Sequence, residues 1–554
     1  MGESGKKLAE LTELVSTKKE EAFQEVIAEH KDYVLMHHLS AARANLISWL
    51  PINKSQHVLE VHAECGACTG ALAELAGAVT ALSDTEEEAQ VNRLRNKERT
   101  NINYRIGGIK ALSLKEQASY DWIIADTDSL TQLKELRQYL APDGRLVLAA
   151  SNCFGIRRWA GVGEEPGEVS RNELTGALAE AGFTEWEYYY PYPDREFPMM
   201  LYSDEWLPRK GELRHNLRNF KEPRYEHFSE QQAFDCVIEK GMFREYANAY
   251  LIVTGAAMEQ ERAIYIKYSD ERARRFMVRT DIVRNKTERY VRKQALVPEG
   301  EAHLQHIQKS GECLKKRYQG SILHINACRS RGRQLEFEYL EGMTLSDKLN
   351  EETSAGQAET LLEKYRSLVA YGCQVQPFEM SEGFRQVFGE TELPGQLPAA
   401  SGLDIDMIFS NIILQKDAWQ LIDYEWTFDF PIPVNYVLYR AYFYESLEHP
   451  ENEAVSVAAL KRLGILSEEE EAAYAKMEKA FLAYTLQGTV PTRDMWQLLG
   501  QPVWKLSTLE DKIRELNGQI EGLKGELIRT RTELSMIKGS RTWRLHEWLR
   551  RRKK

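Results

Sequence analysis

The sequence has few cysteines and no long apolar run. Only seven of its 554 residues are cysteine, and no apolar segment leads the chain, which predicts reduced thiols in the cytoplasm. No stretch approaches the length of about 18 apolar residues that a membrane-spanning helix needs, so any membrane contact should be peripheral. A surplus of positive charge is also missing. The net charge of −12 argues against a nucleic-acid-binding protein.

The composition is that of folded globular protein, with 43% hydrophobic and 28% charged residues. A chain of this length is too long for one hydrophobic core, and about three domains are expected. We predict a first domain over residues 1–255, a second over 256–500, a coil over 505–538 and a basic tail over 539–554.

The first domain alternates short apolar strands with helices. Strands are predicted at residues 58–61, 79–82, 120–126 and 144–150, and helices at 8–30, 39–49 and 86–99. Such alternation predicts an α/β fold with a parallel sheet that binds ligands at the carboxyl ends of its strands.

The order of these parts resembles the class I S-adenosylmethionine (SAM) methyltransferases. In that family a strand ending in an acid leads into a Gly-x-Gly-x-Gly loop, and a second strand ends in an acid that holds the ribose. Glu60 and Gly66 match the first motif, and Asp84 stands one residue after the ribose position. The resemblance covers about residues 40–255. It implies a Rossmann-like fold and SAM as a cofactor, bound by Glu60, Gly66 and Asp84.

The loop departs from the family pattern at two of its three glycine positions, which are His62 and Glu64. Glycine serves there because the backbone turns tightly against the cofactor. A glutamate at the start of the next helix would also meet the cofactor's own carboxylate. Two interpretations stay open: SAM binding, or a retained fold whose pocket has decayed or been repurposed. Cys65 and Cys68 form a CxxC pair, but the surroundings do not favour a redox or zinc site.

Three strongly alternating segments open the second domain, at residues 263–269, 275–283 and 289–297. They predict a three-stranded antiparallel meander. The third carries Lys293, and the helix after it carries Glu301. Kinases bind nucleotide phosphates with a lysine on this strand and hold it with a glutamate from the next helix.

Three polar residues then follow at a characteristic spacing. Asn411 comes five residues after Asp406, and Asp423 comes twelve after Asn411, behind a short apolar run. This pattern resembles protein kinases and aminoglycoside-type phosphotransferases. The resemblance implies that Asp406 and Asn411 are catalytic, that Asn411 and Asp423 hold Mg²⁺, and that Lys293 and Glu301 bind ATP. Taken alone, the stretch is equally compatible with a kinase-like site and with a β-hairpin that happens to carry acidic residues.

The second domain also departs from the kinase pattern. The turn after its first strand, residues 270–274, contains no glycine, Asp404 replaces the usual His or Arg, and Glu425 replaces a glycine. These changes favour a non-protein acceptor. An aromatic-rich segment over 426–445 is predicted to pack in the core, the alternative being a stacking surface for sugar rings.

The end of the chain predicts a rod and an amphipathic tail. Apolar residues recur at alternating spacings of three and four, at Leu509, Ile513, Leu516, Ile520, Leu523, Leu527, Leu534 and Ile537. This pattern indicates a coiled coil spanning ~43 Å, with the number of strands undecided. In the tail, tryptophans lie among arginines and lysines. Such a helix binds an anionic membrane surface or a protein partner.

The whole order of parts resembles the bifunctional chain-terminating methyltransferase/kinases of bacterial O-polysaccharide synthesis (the WbdD type). The fold class is thus an α/β Rossmann-like methyltransferase fold, then an α+β bilobal kinase-like fold, then a helical coiled coil. The resemblance implies phosphorylation of a glycan end, methylation of that phosphate, homo-oligomers through the coil, and recruitment of glycosyltransferases. It places the protein in the cytoplasm, at the inner face of the cell membrane.

Two other functions are compatible with the sequence. Both globular domains could be degenerate, leaving a scaffold that organises glycosyltransferases through the coil; the glycine-free turn and His62 with Glu64 favour this. Alternatively, a working methyltransferase could lie beside an inactive kinase, which requires SAM to fit past His62.

Overall fold

The computed structural model describes residues 3–214, 221, 223–255, 261–286, 288–351, 355–416 and 418–552. The predicted domain boundary at 255–256 falls at residues 256–260, which lie outside the described residues. The last two residues of the predicted tail, 553–554, also lie outside them.

The first half begins with three helices and then alternates strands and helices. Its helices are α1 (Glu3–Thr17), α2 (Phe23–His30), α3 (Tyr33–Leu39), α4 (Thr69–Leu75), α5 (Glu86–Arg95), α6 (Leu133–Tyr139), α7 (Ile156–Trp159), α8 (Arg171–Glu180), α9 (Glu230–Glu239) and α10 (Phe243–Tyr246). Its strands are β1 (His57–Glu60), β2 (Ala78–Ser83), β3 (Ile102–Ile106), β4 (Tyr120–Asp126), β5 (Leu140–Ser151), β6 (Trp186–Tyr192), β7 (Met200–Ser203), β8 (Arg224–Glu226) and β9 (Ala249–Thr254).

The second half is mixed, with short strands between longer helices. Its strands are β10 (Glu261–Ser269), β11 (Val278–Asn285), β12 (Glu288–Ala295), β13 (Leu323–Ile325), β14 (Cys328–Arg331), β15 (Gln334–Glu338), β16 (Met343–Thr344), β17 (Gln376–Pro377), β18 (Pro398–Ala400), β19 (Leu403–Asp404), β20 (Ile412–Leu414), β21 (Trp419–Leu421), β22 (Thr427–Phe428) and β23 (Ile432–Pro433). Its helices are α11 (Glu301–Arg317), α12 (Leu345–Asn350), α13 (Ala355–Val369), α14 (Glu382–Phe388), α15 (Val434–Glu448), α16 (Val457–Arg462), α17 (Glu468–Leu486) and α18 (Thr492–Leu498).

The core of the first half is a parallel sheet in the order β3-β2-β1-β4-β5. This confirms the α/β prediction. Antiparallel strand β9 then lies between β5 and β6. The strand order changes direction at β1. The loops after β1 and β4 therefore lie side by side at one edge of the sheet, where doubly wound folds bind ligands.

Two predicted helical segments near the start of the first half differ from the structure. Residues 8–30 divide into α1, a 3-10 helix over Glu20–Ala22 and α2. Residues 39–49 do not form an α-helix: α3 ends at Leu39, and a 3-10 helix follows over Ala41–Leu46. Ser40 has an extended backbone, and its hydroxyl accepts a hydrogen bond from the Ala42 amide. Serine therefore caps a new turn here instead of continuing the helix.

The sheet continues into the second half. Strands β6 and β7 pair antiparallel, β7 pairs with β10, and the meander β10-β11-β12 extends through β15 and β14 to make thirteen strands. The predicted meander is confirmed. Its connection to the first half was not predicted from the sequence, because strand pairing between distant segments leaves no local pattern.

A smaller sheet, β13-β21-β20-β16, lies beyond the meander and carries the segment around Asp423. The aromatic-rich segment packs in the core there: Trp426, Tyr436 and Tyr442 are all buried. The core interpretation of residues 426–445 is therefore confirmed.

The C-terminal part consists of β24 (Val503–Lys505), α19 (Leu506–Gly539) and α20 (Arg541–Arg552). β24 pairs with β8 of the first half, and α18 contributes Met495 to the core around α1 and α2. The predicted apolar seam lies on α19 and is exposed along its length. The helix is confirmed, and its association with other chains stays a prediction. Among the described residues, no helix is long and apolar enough to cross a membrane.

Candidate active site

Lys293 and Asp423 meet between the meander and the smaller sheet. The alternation of β12 turns Lys293 inward, where it is 6% exposed, and its Nζ donates to Asp423 Oδ1 at 2.5 Å. Although burial opposes the charge, the carboxylates of Asp423 and Glu425 raise the pKa of Lys293. Asp423 has a φ of 51°, a left-handed conformation that clusters at functional sites.

Asn411 joins the other two predicted residues. It ends a 3-10 turn over Phe409–Asn411, and its Nδ2 donates to the carbonyl oxygens of Asp406 at 2.9 Å and Asp423 at 3.5 Å. The structure therefore brings Asp406, Asn411 and Asp423 together, as the spacing predicts. With its nitrogen so occupied, Asn411 has its amide oxygen left for a cation, and amide and carboxylate oxygens suit Mg²⁺.

The Asp406 carboxylate is held from α15. Arg440 Nη2 donates to Asp406 Oδ1 at 2.8 Å, and the same guanidinium bonds Glu478 at 2.6 Å and the Ile405 carbonyl at 2.9 Å. Burial raises the pKa of Asp406 to about 6, against the lowering effect of Arg440. A carboxylate with this pKa can accept a proton near neutral pH.

Asp404 lies beside this group and has a structural role. It is 3% exposed, and its Oδ1 accepts a hydrogen bond from the Asp406 amide at 3.1 Å. Burial, with the nearby charge of Asp406, raises the pKa of Asp404 well above its usual range. Asp404 thus fixes the backbone before Asp406 through this hydrogen bond.

The prediction that Glu301 pairs with Lys293 is wrong. Glu301 lies at the exposed start of α11 and forms an ion pair with Arg333. Glu425 takes the expected place near the lysine: it is 4% exposed and is bonded by Arg272 at 2.8 Å and by His303 at 3.2 Å. Although burial opposes ionisation, the charges of Arg272 and Lys293 hold the pKa of Glu425 well below its usual range.

Sequence reasoning missed Arg272 and Arg440. Arg440 is a cation in an aromatic, buried helix, which is a usable indication because such a charge requires partners. Arg272 lies in the glycine-free turn, and nothing in its neighbourhood in the sequence indicates that it reaches Glu425.

The loop after β1 has a glycine-like backbone at all three glycine positions of the motif, although only one of them is glycine. His62, Glu64 and Gly66 all have positive φ, at 55°, 45° and 81°. Such a conformation is unfavourable for residues other than glycine. At Gly66 a Cβ would collide with the Asn92 side chain, so glycine is required there for packing as well.

The two non-glycine side chains of this loop bond neighbouring groups. His62 Nδ1 lies 2.9 Å from Asp84 Oδ2. Glu64 Oε2 accepts from His37 at 3.1 Å and from Arg43 at 3.4 Å. Although burial opposes ionisation, the His37 bond and the Arg43 charge lower the pKa of Glu64 to about 2.

Glu60 at the end of β1 is buried, 4% exposed, and accepts a hydrogen bond from Thr69 Oγ1 at 2.6 Å. Burial raises the pKa of Glu60 to about 8. Glu60 is thus mostly protonated at neutral pH. Glu60, Gly66 and Asp84 do surround one loop, but the loop's own side chains bond Asp84 and Arg43. The residues present do not fit SAM in their observed positions.

Two other groups of side chains in this half resemble ligand sites in composition only. Atoms of His37, His38 and Glu64 lie within 4.8 Å of one another, as in a metal site, but an Arg43 nitrogen lies 2.9 Å from His37 Nδ1 and would repel a metal cation. Burial raises the pKa of both Cys65 and Cys68 to about 12, so neither thiol is activated for redox chemistry.

A cavity of about 340 Å³ opens after the carboxyl end of β5. It is lined by Ser151 and by pairs of opposite charge, including Arg157 with Asp194 at 2.5 Å. Tyr33 donates to Glu196 on its wall at 2.7 Å. The cavity lies at the sheet edge where α/β folds bind ligands.

No protein-family model matches the sequence, and no curated protein matches it. Among solved structures, phosphoethanolamine N-methyltransferase 1 from Haemonchus contortus shows 16% identity and a TM-score of 0.27, covering 42% of this chain and 48% of that chain. A SAM-dependent methyltransferase from Thermotoga maritima shows 15% identity and a TM-score of 0.26, covering 42% and 98%. A geranyl diphosphate methyltransferase shows 12% and 0.25, covering 40% and 86%.

This chain therefore spans about half the length of the Haemonchus contortus enzyme. Likenesses at these scores decide nothing about substrate or activity. The fold is assigned from the strand order β3-β2-β1-β4-β5, with antiparallel β9 beyond it. The first half has an α/β Rossmann-like fold.

Proposed function

We propose that this chain is a transferase of bacterial cell-surface polysaccharide synthesis, whose second half transfers a phosphoryl group from ATP to a hydroxyl at the end of a glycan. The observation that carries the proposal is the meeting of Lys293, Asp406, Asn411 and Asp423 in one cleft. The glycan acceptor is supported by the order of domains and by Asp404 and Glu425 at positions where protein kinases differ.

Each of these residues has a role that its surroundings support. ATP supplies the phosphoryl group, and Mg²⁺ offsets the charge of its phosphates. Asn411 and Asp423 would hold the metal ion, and Lys293, which already attracts the Asp423 carboxylate, would bind phosphate oxygens. Asp406 orients the acceptor hydroxyl and accepts its proton, while Arg440 fixes the carboxylate in place.

The first half contributes no methyl-transfer step to this proposal. SAM binding would require His62 and Glu64 to leave Asp84 and Arg43. Removing Glu64 from Arg43 would leave a half-buried guanidinium without its carboxylate, which costs more than a surface ion pair. We propose instead that this half is retained as a folded support for the second.

The C-terminal part supports assembly at a membrane. The exposed apolar seam of α19 would be covered by further copies of the chain. Helix α20 places Trp543 and Trp548 among basic residues, as in helices that lie on anionic lipid. Peripheral attachment at the inner face of the cell membrane, and contact with glycosyltransferases, belong to the same proposal.

A second candidate function is a scaffold without catalytic activity. The observation that favours it is the loop at His62 and Glu64, where side chains occupy positions that a cofactor-binding loop leaves to glycine. A scaffold would keep the coil and lose nucleotide binding in the second half, so one measurement separates the two functions.

That measurement is thermal unfolding of the full chain with and without ATP and Mg²⁺. Saturating nucleotide should raise the melting temperature by roughly 3–8 °C, because a ligand that binds the folded state stabilises it. Asp423→Ala should abolish the shift, whereas Asp429→Ala, an exposed acid on the same segment, should retain it. The absence of a shift in the parent would reject the kinase-like function and favour the scaffold.

A further inference from the structure

The turn between β10 and β11 enters the cleft of the second half. It covers residues 270–274 and contains no glycine. In kinases, this position belongs to a glycine-rich loop whose backbone covers the nucleotide phosphates. A turn without glycine approaches phosphates less closely with its backbone, which favours contact through its side chains.

Arg272 is the side chain of this turn that reaches Glu425, two residues after Asp423. Its Nη1 donates to Glu425 Oε1 at 2.8 Å, and its guanidinium carbon lies 5.7 Å from the centre of the Trp426 ring. Although burial opposes its charge, the carboxylates of Glu425 and Asp423 raise the pKa of Arg272. A guanidinium has five N–H donors, and among the described contacts its hydrogen bond is the one to Glu425.

The two other cations near this group, Arg440 and Lys293, already donate hydrogen bonds to protein groups. Arg440 is bonded to Asp406, Glu478 and a backbone carbonyl, so its donors are largely occupied. Lys293 lies on Asp423. Arg272 therefore brings the largest unused set of donors to a place where phosphates would bind, in a planar fork that suits oxyanions.

The turn is anchored from the first half of the chain. Asn45 Nδ2 donates to Asp270 Oδ2 at 2.7 Å and to the Pro198 carbonyl at 3.0 Å. On the other side, the Ala273 amide donates to the Thr485 carbonyl at 2.8 Å. Asn45 belongs to the same 3-10 helix as Arg43, so the segment that packs against the loop at Glu64 also fixes the turn.

We propose that Arg272 binds the nucleotide phosphates in place of a glycine-rich loop, and that the first half positions it through the Asn45–Asp270 hydrogen bond. This inference rests on the proposed phosphotransferase function. Under this proposal the first half positions Arg272 in the site of the second half, a role that requires no methyl donor.

Titration of the full chain with ATP and, separately, with adenosine tests the role of Arg272, in the presence of Mg²⁺. Arg272→Gln should lower the affinity for ATP by about 10- to 100-fold, as expected for losing charge-assisted hydrogen bonds. The affinity for adenosine should not change, since adenosine has no phosphate. A merely structural role would weaken both. Arg272→Lys should recover part of the loss.

Arg274→Gln is the matched control, because Arg274 lies in the same turn but pairs with the exposed Glu299. It should leave both affinities unchanged. If Arg272→Gln retains or gains ATP affinity while the parent binds ATP, the inference about Arg272 is overturned and the proposed function survives. A parent that binds neither ligand overturns both. The melting temperature of each variant separates loss of binding from loss of folding.

Asp270→Ala tests the anchor. Without its partner on Asn45 the turn should hold Arg272 less firmly, and the affinity for ATP should fall by about 3- to 10-fold with no change for adenosine. An unchanged preference for ATP over adenosine would overturn positioning by the first half.

Discussion

At the scale of single residues, the surroundings of Asp406 decide its chemistry. A carboxylate on the surface would stay ionised well below neutral pH, whereas burial raises the pKa of Asp406 to about 6 and Arg440 limits the rise. The result is a carboxylate that is a stronger base than usual and is still mostly ionised at pH 7.

This predicts the pH dependence of ATP turnover, measured as basal hydrolysis by the full chain. Asp406 acts as a base only when ionised, so turnover should rise through about pH 6 and level off above it. Asp406→Asn should lower turnover by about 10²- to 10⁴-fold and keep the ATP-induced thermal shift. A flat profile between pH 5 and 7 in the parent would exclude Asp406 as the base.

At the scale of elements, the loop after β1 adopts a backbone that favours glycine at two positions that are not glycine. His62 and Glu64 adopt left-handed conformations, at a cost of about 1–2 kcal/mol each. Their contacts with Asp84, His37 and Arg43 offset that cost. The same contacts hold His62 and Glu64 at positions that a cofactor-binding loop leaves to glycine.

Calorimetric titration with SAM tests this account of the loop. The parent should give no binding heat at about 1 mM SAM. The double variant His62→Gly/Glu64→Gly should bind SAM more tightly, since glycine accepts the loop's backbone and Arg43 becomes available for the cofactor's carboxylate. Glu87→Ala, at an exposed position of α5, serves as the control. Binding by the parent with micromolar affinity would contradict the interpretation.

At the scale of the whole molecule, one thirteen-stranded sheet runs through both halves of the chain, and the long helix α19 follows them. The apolar seam of α19 is exposed, with Leu523 at 65% and Ile513 at 57%. Exposed apolar positions repeated over several heptads are typical of helices that associate.

The full chain should therefore form an oligomer whose mass can be measured by sedimentation. Leu523→Asp, in the middle of the seam, should dissociate it, because a charge would be buried between helices. Thr532→Asp introduces the same charge away from the seam and should leave the mass unchanged. Removal of residues 506–554 should give a monomer, and a parent that is itself monomeric would reject the coiled coil.

The spacing of Asp406, Asn411 and Asp423 left a kinase-like site and a plain β-hairpin equally open, and the order of Lys293 and the meander before it favoured the site. The three residues lie close together because a 3-10 turn and a two-stranded hairpin join them over short distances in the chain. The alternation of β10–β12 likewise predicted the meander and placed Lys293 on its third strand. These features depend on local periodicity, which can be read directly from the order of the residues.

Glu301, Arg272 and Arg440 depend on tertiary structure. Whether Glu301 reached Lys293 was decided by how α11 packs, and its first turn lies outside, beside Arg333. Arg272 and Arg440 reach their carboxylates across 153 and 34 positions of the chain. Sequence alone therefore determined the elements and the catalytic spacing, while only the packing of distant segments decided which charges complete the site, since such contacts leave no local pattern.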